Sequence, residues 1–130
     1  MAISERFING LKNFNLNYEE VKSWKYCGGN KGVDLRYFKT IYKNKPLPDF
    51  TNKCVCGHII KKNCYITNND IILVLGSCCI KKFIDTGLKR TCLTCDKNYK
   101  GKYRCCVECR KTRCWNCCAD SYFKYCSRCL

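Results

Sequence analysis

Residues 105–118 read CCVECRKTRCWNCC. Six of these fourteen residues are cysteine and three are basic. Whether the sulfurs are disulfide partners, redox centres or metal ligands decides how the chain folds. Extended outward, the stretch belongs to four C-x-x-C pairs: Cys92/Cys95, Cys106/Cys109, Cys114/Cys117 and Cys126/Cys129. A C-x-x-C knuckle turns the backbone so that both sulfurs face one point, and two knuckles complete the tetrahedron that zinc prefers. Redox C-x-x-C motifs need a surrounding sheet fold, and no βαβ pattern flanks these pairs. The N-terminal MAISERFINGLKNF has neither the apolar stretch nor the small-residue cleavage site of a secretory leader. That favours a reducing, intracellular setting, where paired cysteines read as zinc ligands rather than disulfides.

Two pairings satisfy the spacing. Sequential pairing gives C-x2-C-x10-C-x2-C followed by C-x2-C-x8-C-x2-C, two small zinc ribbons in tandem. Its first loop, DKNYKGKYRC, suits a hairpin turning at Lys100-Gly101. Interleaved pairing gives the cross-brace of RING, PHD and FYVE-type domains, and the short RKTR gap is compatible with it. Sequential pairing is preferred because each half then has its own hairpin. Adjacent cysteines diverge, so Cys106 and Cys117 are taken as ligands for their spacing, leaving Cys105 and Cys118 spare. The few aliphatics here, Leu88, Leu93, Val107 and Leu130, cannot form a core. Metal is expected to supply most of the folding free energy of residues 87–130, which hold ten of the sixteen cysteines.

Residues 51–86 have a different pattern. CVCGHII, NCYITN and DIILVL read as three short strands, with turns at KKN and NND. GSCCIKKFID then starts a helix with Ser77 as N-cap. Cys54, Cys56, Cys64 and Cys79 are the expected ligands of a third zinc, with His58 and Cys78 in reserve. Twelve ligands in three sites leave Cys27, Cys78, Cys105 and Cys118 over.

Residues 1–50 hold one cysteine, Cys27, and read as helical. Ile3, Phe7, Ile8 and Leu11 share one helical face. Asn17 and Glu20 have capping-box spacing, Tyr18, Val21 and Trp24 or Lys25 continue the period, and Gly28-Gly29 supplies a stop. Asp34 could cap a third helix carrying Leu35, Phe38 and Ile41 or Tyr42, which ends before Pro46 and Pro48. The aromatics of this segment read as core. The expected fold is a small zinc-stabilised α+β chain: N-terminal helices over 1–50, a central three-stranded zinc-binding unit over 51–86, and tandem zinc ribbons over 87–130. The cross-brace remains the alternative for the last.

The formal charge is +15. Three four-cysteine zinc sites would reduce it to about +9. A basic chain favours acidic partners, nucleic acid first. Lys97, Lys100, Lys102 and Arg104 lie on the first ribbon loop, and Arg110, Lys111, Arg113 and Trp115 bridge to the second. Cations neutralise phosphates and aromatic rings stack on unpaired bases. None of these residues ligates metal, so replacing them is expected to leave the fold intact. No apolar stretch reaches the ~18 residues of a membrane span. The single histidine lies among candidate ligands and carboxylates are sparse, so catalysis and a small-molecule substrate are not expected.

LPDFTNKCVCGHIIKKNCYITN, VLGSCCIKKFI and RTCLTC…CVEC together resemble a group of small zinc-binding proteins of large DNA viruses. In that group a C-x-C-G-H strand and a G-x-C-C-I-K-[KR]-F helix start precede a zinc ribbon. The resemblance spans residues 47–109, and the Lys-, Asn-, Ile- and Tyr-rich composition fits an AT-rich genome. It implies zinc and a viral origin, with the host cytoplasm (viral factory) or the virion as location. The second ribbon lies outside it. The expectation is a non-catalytic, zinc-stabilised nucleic-acid-binding protein acting in viral transcription or genome packaging. The alternative is a protein-interaction module, a scaffold or subunit of a viral assembly, or a RING-like ubiquitin ligase.

Overall fold

The computed structural model describes residues 5–85 and 88–129. The chain is a small α+β protein built on one mixed five-stranded sheet. Its elements are α1 (Glu5–Lys12), α2 (Tyr18–Val21), β1 (Lys25–Gly29), α3 (Gly32–Ile41), β2 (Cys64–Thr67), β3 (Ile72–Leu75), α4 (Ser77–Asp85), β4 (Lys89–Thr91) and β5 (Asn98–Lys100). The strand order is β3-β2-β1-β4-β5. All neighbours are antiparallel except β1 and β4, which run parallel with Lys25 opposite Lys89.

The central strand lies where a helix was expected to end. Tyr26, Cys27, Gly28 and Gly29 are all buried in β1. A strand covered on both faces shows no polar alternation, so its sequence does not announce it. Its glycines permit close backbone approach. A Cβ on Gly28, at φ +86°, would stand 2.4 Å from the Asp34 carbonyl oxygen, and one on Gly29 would stand 2.6 Å from that of Asn63. The ladder shifts register between Tyr26 and Gly29, where β1 meets β2.

The helices differ in their ends. α2 is a single turn with the expected capping box: Asn17 accepts from the Glu20 amide at 2.9 Å and Glu20 reaches back to the Asn17 amide. α3 begins at Gly32 with Lys31 in the cap position, so Asp34 is not the cap; it is buried in the first helical turn. α4 already includes Ser77. Phe7 and Leu11 bury the inner face of α1, Ile8 lies at its exposed margin, and Ile3 lies outside the described residues.

The main core joins Phe7, Leu11, Val21, Trp24, Tyr26 and Tyr37 to Ile66, Leu73, Leu75, Ile80, Phe83 and Leu88. Leu88 is thus a member of this core, and Leu93 packs against it. Residues after 87 therefore share the main core through Leu88 and Leu93, which their composition alone did not disclose. Val107 is exposed, and Leu130 lies outside the described residues. The β4–β5 hairpin does not turn at Lys100-Gly101. It turns over residues 92–97, where the Cys92 amide donates to the Lys97 carbonyl at 2.8 Å.

Candidate metal centres

Three groups of cysteines converge. Cys92, Cys95, Cys106 and Cys109 form one, Cys114, Cys117, Cys126 and Cys129 the second, and Cys54, Cys56 and Cys79 the third. Within each group all sulfurs lie within 4.8 Å of one another. The two groups of four are those of the sequential pairing, with Cys106 and Cys117 chosen over their neighbours.

The knuckles are built by backbone hydrogen bonds. In the first group the Asp96 amide donates to the Cys92 carbonyl at 3.1 Å, and that of Arg110 to Cys106 at 3.0 Å. The Cys106 amide also donates to the Cys92 sulfur at 3.3 Å. In the second, the Cys118 amide donates to Cys114 O at 2.9 Å and the Cys129 amide to Cys126 O at 2.9 Å. The Asn116 side chain donates to the Cys129 sulfur at 3.3 Å.

CVCGHII is not a strand but a tight turn, closed by Gly57 N–H to Cys54 O at 2.8 Å and Cys54 N–H to His58 O at 2.9 Å. An isolated bridge pairs Lys53 with Ile59 at its ends. This turn supplies two sulfurs, and the first turn of α4 supplies Cys79. Cys64 is not in the group. As the first residue of β2, opposite Leu75, it sits in the apolar core, and burial followed by the nearby Asp34 charge pushes its thiol up to about 11. His58 and Cys78 line a cavity of about 500 Å³ with the three clustered cysteines. There the Arg6 guanidinium donates to His58 Nε2 at 3.0 Å.

The electrostatics of the groups favour a cation. A hydrogen bond from Cys79 brings Cys54 down to about 5, and the same contact pushes Cys79 up. Burial opposes ionisation of Cys114, but the amides of Cys117, Cys126 and Asn116 outweigh it and bring it down to about 6. Cys106 falls to about 7, against burial, through the Cys109 amide and the neighbouring thiols. Burial and neighbouring sulfurs push Cys109 up, and burial lifts Cys117 to about 12. In each group at least one thiol is drawn toward the thiolate, Cys54, Cys106 and Cys114 with Cys126, while a neighbour, Cys79, Cys109 or Cys117, is pushed up. A divalent cation removes that conflict and is what such donor sets accept.

The basic residues expected to project are not equivalent. Lys97, Lys100 and Lys102 are exposed. Arg104 is not a free cation: its Nη2 meets Asp34 Oδ1 at 2.7 Å, and its Nη1 donates to Asn116 O at 3.2 Å. Lys111 pairs with Glu108 at 3.1 Å and Arg113 with Asp120 at 3.1 Å. Arg110 lies 4.5 Å from the Tyr103 ring centre and 4.8 Å from that of Trp115. Lys124 also lies over Trp115, at 4.7 Å. The aromatic residues most open to solvent in this half are Tyr122 and Phe123, 90% and 80% exposed, which the sequence pattern did not single out. Their position midway between Cys117 and Cys126, in a loop without Val, Leu or Ile to cover them, was the available signal.

Compared with protein-family models, curated proteins and solved structures, the chain has no match.

Proposed function

We propose that this chain is a zinc-stabilised, non-catalytic nucleic-acid-binding protein. The observation that carries the metal reading is the convergence of eleven cysteines into three compact groups. Zinc suits all-thiolate donor sets of this kind, and the two groups of four leave no open position for chemistry, while the group of three leaves one. The nucleic-acid reading is supported by a charge that stays near +10 after two four-thiolate and one three-thiolate zinc sites are counted. The exposed Lys97, Lys100 and Lys102 and the open rings of Tyr122 and Phe123 supply phosphate-neutralising and base-stacking groups. The resemblance of residues 47–109 to viral zinc-binding proteins makes transcription or genome packaging in a viral factory, or a place in the virion, the setting we favour.

Titration of single- and double-stranded oligonucleotides at several salt concentrations tests this. Replacing Lys97, Lys100 and Lys102 by Ala is expected to reduce the slope of log K against log salt by about 0.7–0.9 for each phosphate no longer neutralised, with the fold intact. Equal binding by wild type and variant, or no binding at low salt, would leave a viral protein partner docking at Tyr122 and Phe123 as the reading in its place. The RING-like variant of that reading is weakened by the sequential grouping of the sulfurs.

A further inference from the structure

Cys105 and Cys118 belong to none of the three groups, yet their sulfurs lie 2.6 Å apart. Each is the chain neighbour of a clustered cysteine, Cys106 in the first group of four and Cys117 in the second. They are therefore a point where the two groups touch through residues that hold no shared metal. Their surroundings differ. Cys105 is 0% exposed, whereas Cys118 is 6% exposed and lines a surface cavity of about 350 Å³ together with Arg36, Thr40, Leu93, Thr94 and Arg113. Cys118 lies in the left-handed region, at φ 64°, and its amide donates a hydrogen bond to the Cys114 carbonyl. A cavity lined by two arginines and a cysteine suits a small molecule that carries both carboxylates and a disulfide.

We propose that Cys118 and Cys105 form a dithiol site for an anionic low-molecular-weight disulfide of the oxidised-glutathione class, and that the reaction closes a bond tying the two cysteine groups together. The Cys118 sulfur gives its proton to water and attacks one sulfur of the reagent. The reagent's S–S bond breaks, one small thiolate leaves, and a mixed disulfide remains on Cys118. The Cys105 sulfur, already in contact behind it, loses its proton and attacks the Cys118 sulfur. The second small thiolate leaves, and the Cys105–Cys118 bond is formed. Two protein thiols have given up two electrons and two protons, and the reagent has become two thiols. Cys118 is the entry residue because it lines the cavity, and Cys105 is the resolving one because it is fully buried with its sulfur against that of Cys118.

The test uses the full chain, purified reduced with its metal count measured, then incubated with oxidised glutathione. Remaining thiols are alkylated and the non-reduced tryptic digest is sequenced by mass spectrometry. The expected product is lighter by two hydrogens, keeps its metal count, and links the peptide of Cys105–Arg110 to that of Cys114–Lys124 through Cys105 and Cys118. Cys105→Ser is expected to accumulate one glutathionyl adduct at Cys118, and Cys118→Ser none at Cys105. Alkylation of both residues after incubation overturns the proposal, as does a link that runs through clustered cysteines with metal loss. Should either variant fail to fold, the wild-type peptide map alone decides.

Discussion

Asp34 shows what one residue can hold together. It sits in the first turn of α3, where the helix end favours a negative charge. It is 7% exposed, meets Arg104 at 2.7 Å and Lys62 at 2.6 Å, and accepts a hydrogen bond from the Tyr26 hydroxyl. Arg104 comes from the segment between β5 and Cys105, so this ion pair fastens the first group of four to the central sheet. Arg104→Ala leaves the carboxylate buried beside one exposed lysine. It is expected to cost about 3 kcal/mol in denaturant unfolding, whereas Lys100→Ala on the exposed hairpin costs about 0.5 kcal/mol or less. Burial opposes the ionised form of Asp34, but the Arg104 charge and the hydrogen bonds from Lys62, Tyr26 and Arg104 together outweigh it, so its carboxyl is held below the usual range. The sign for pH follows. The contribution is complete above the unfolded carboxyl value of about 3.9 and is lost as the pH falls through the lower folded value. Wild type should therefore show an acid-dependent loss of stability in that window that is smaller in Arg104→Ala, as measured by unfolding at stepped pH.

Among the elements, the turn of residues 54–58 and the start of α4 build the third candidate metal site, where Cys79 and Cys64 can be told apart by experiment. Cys79→Ser should remove one bound zinc ion per chain by native mass spectrometry, while Cys64→Ser should keep the full metal count and weaken only core packing. Equal metal loss in both would place Cys64 back among the ligands. The difference also explains what the sequence could disclose. C-x-x-C spacing fixes two sulfurs through local backbone geometry alone, so the four pairs were legible, while their grouping was only preferred as sequential over interleaved. Cys64 is positioned by its pairing with Leu75 across β2 and β3, a non-local constraint that spacing does not encode. β1 was hidden for a similar reason, since its burial on both faces comes from its neighbours in the sheet. The capping box of α2 was legible because its two hydrogen bonds are local. Asn17→Ala should cost about 1 kcal/mol in the same denaturant unfolding.

Across the whole molecule, all three sequence segments meet in one sheet. β1 comes from the first, β2 and β3 from the second, and β4 and β5 from the third. Leu88 carries the third segment into the main core, while the second group of four, Cys114–Cys129, has little apolar packing of its own. Chelation should therefore act unevenly. Amides of residues 112–129 are expected to lose hydrogen-exchange protection first, while β1, β2 and β3 retain it through their ladders and core. The central claim is that each of the three cysteine groups holds a zinc ion, and native mass spectrometry of the full chain, purified with zinc present, tests it most directly. Three zinc ions per chain, removed one group at a time by Cys79→Ser, Cys95→Ser and Cys126→Ser, is the predicted result. A folded chain that carries no zinc, or whose zinc count is unchanged by all three substitutions, would contradict it.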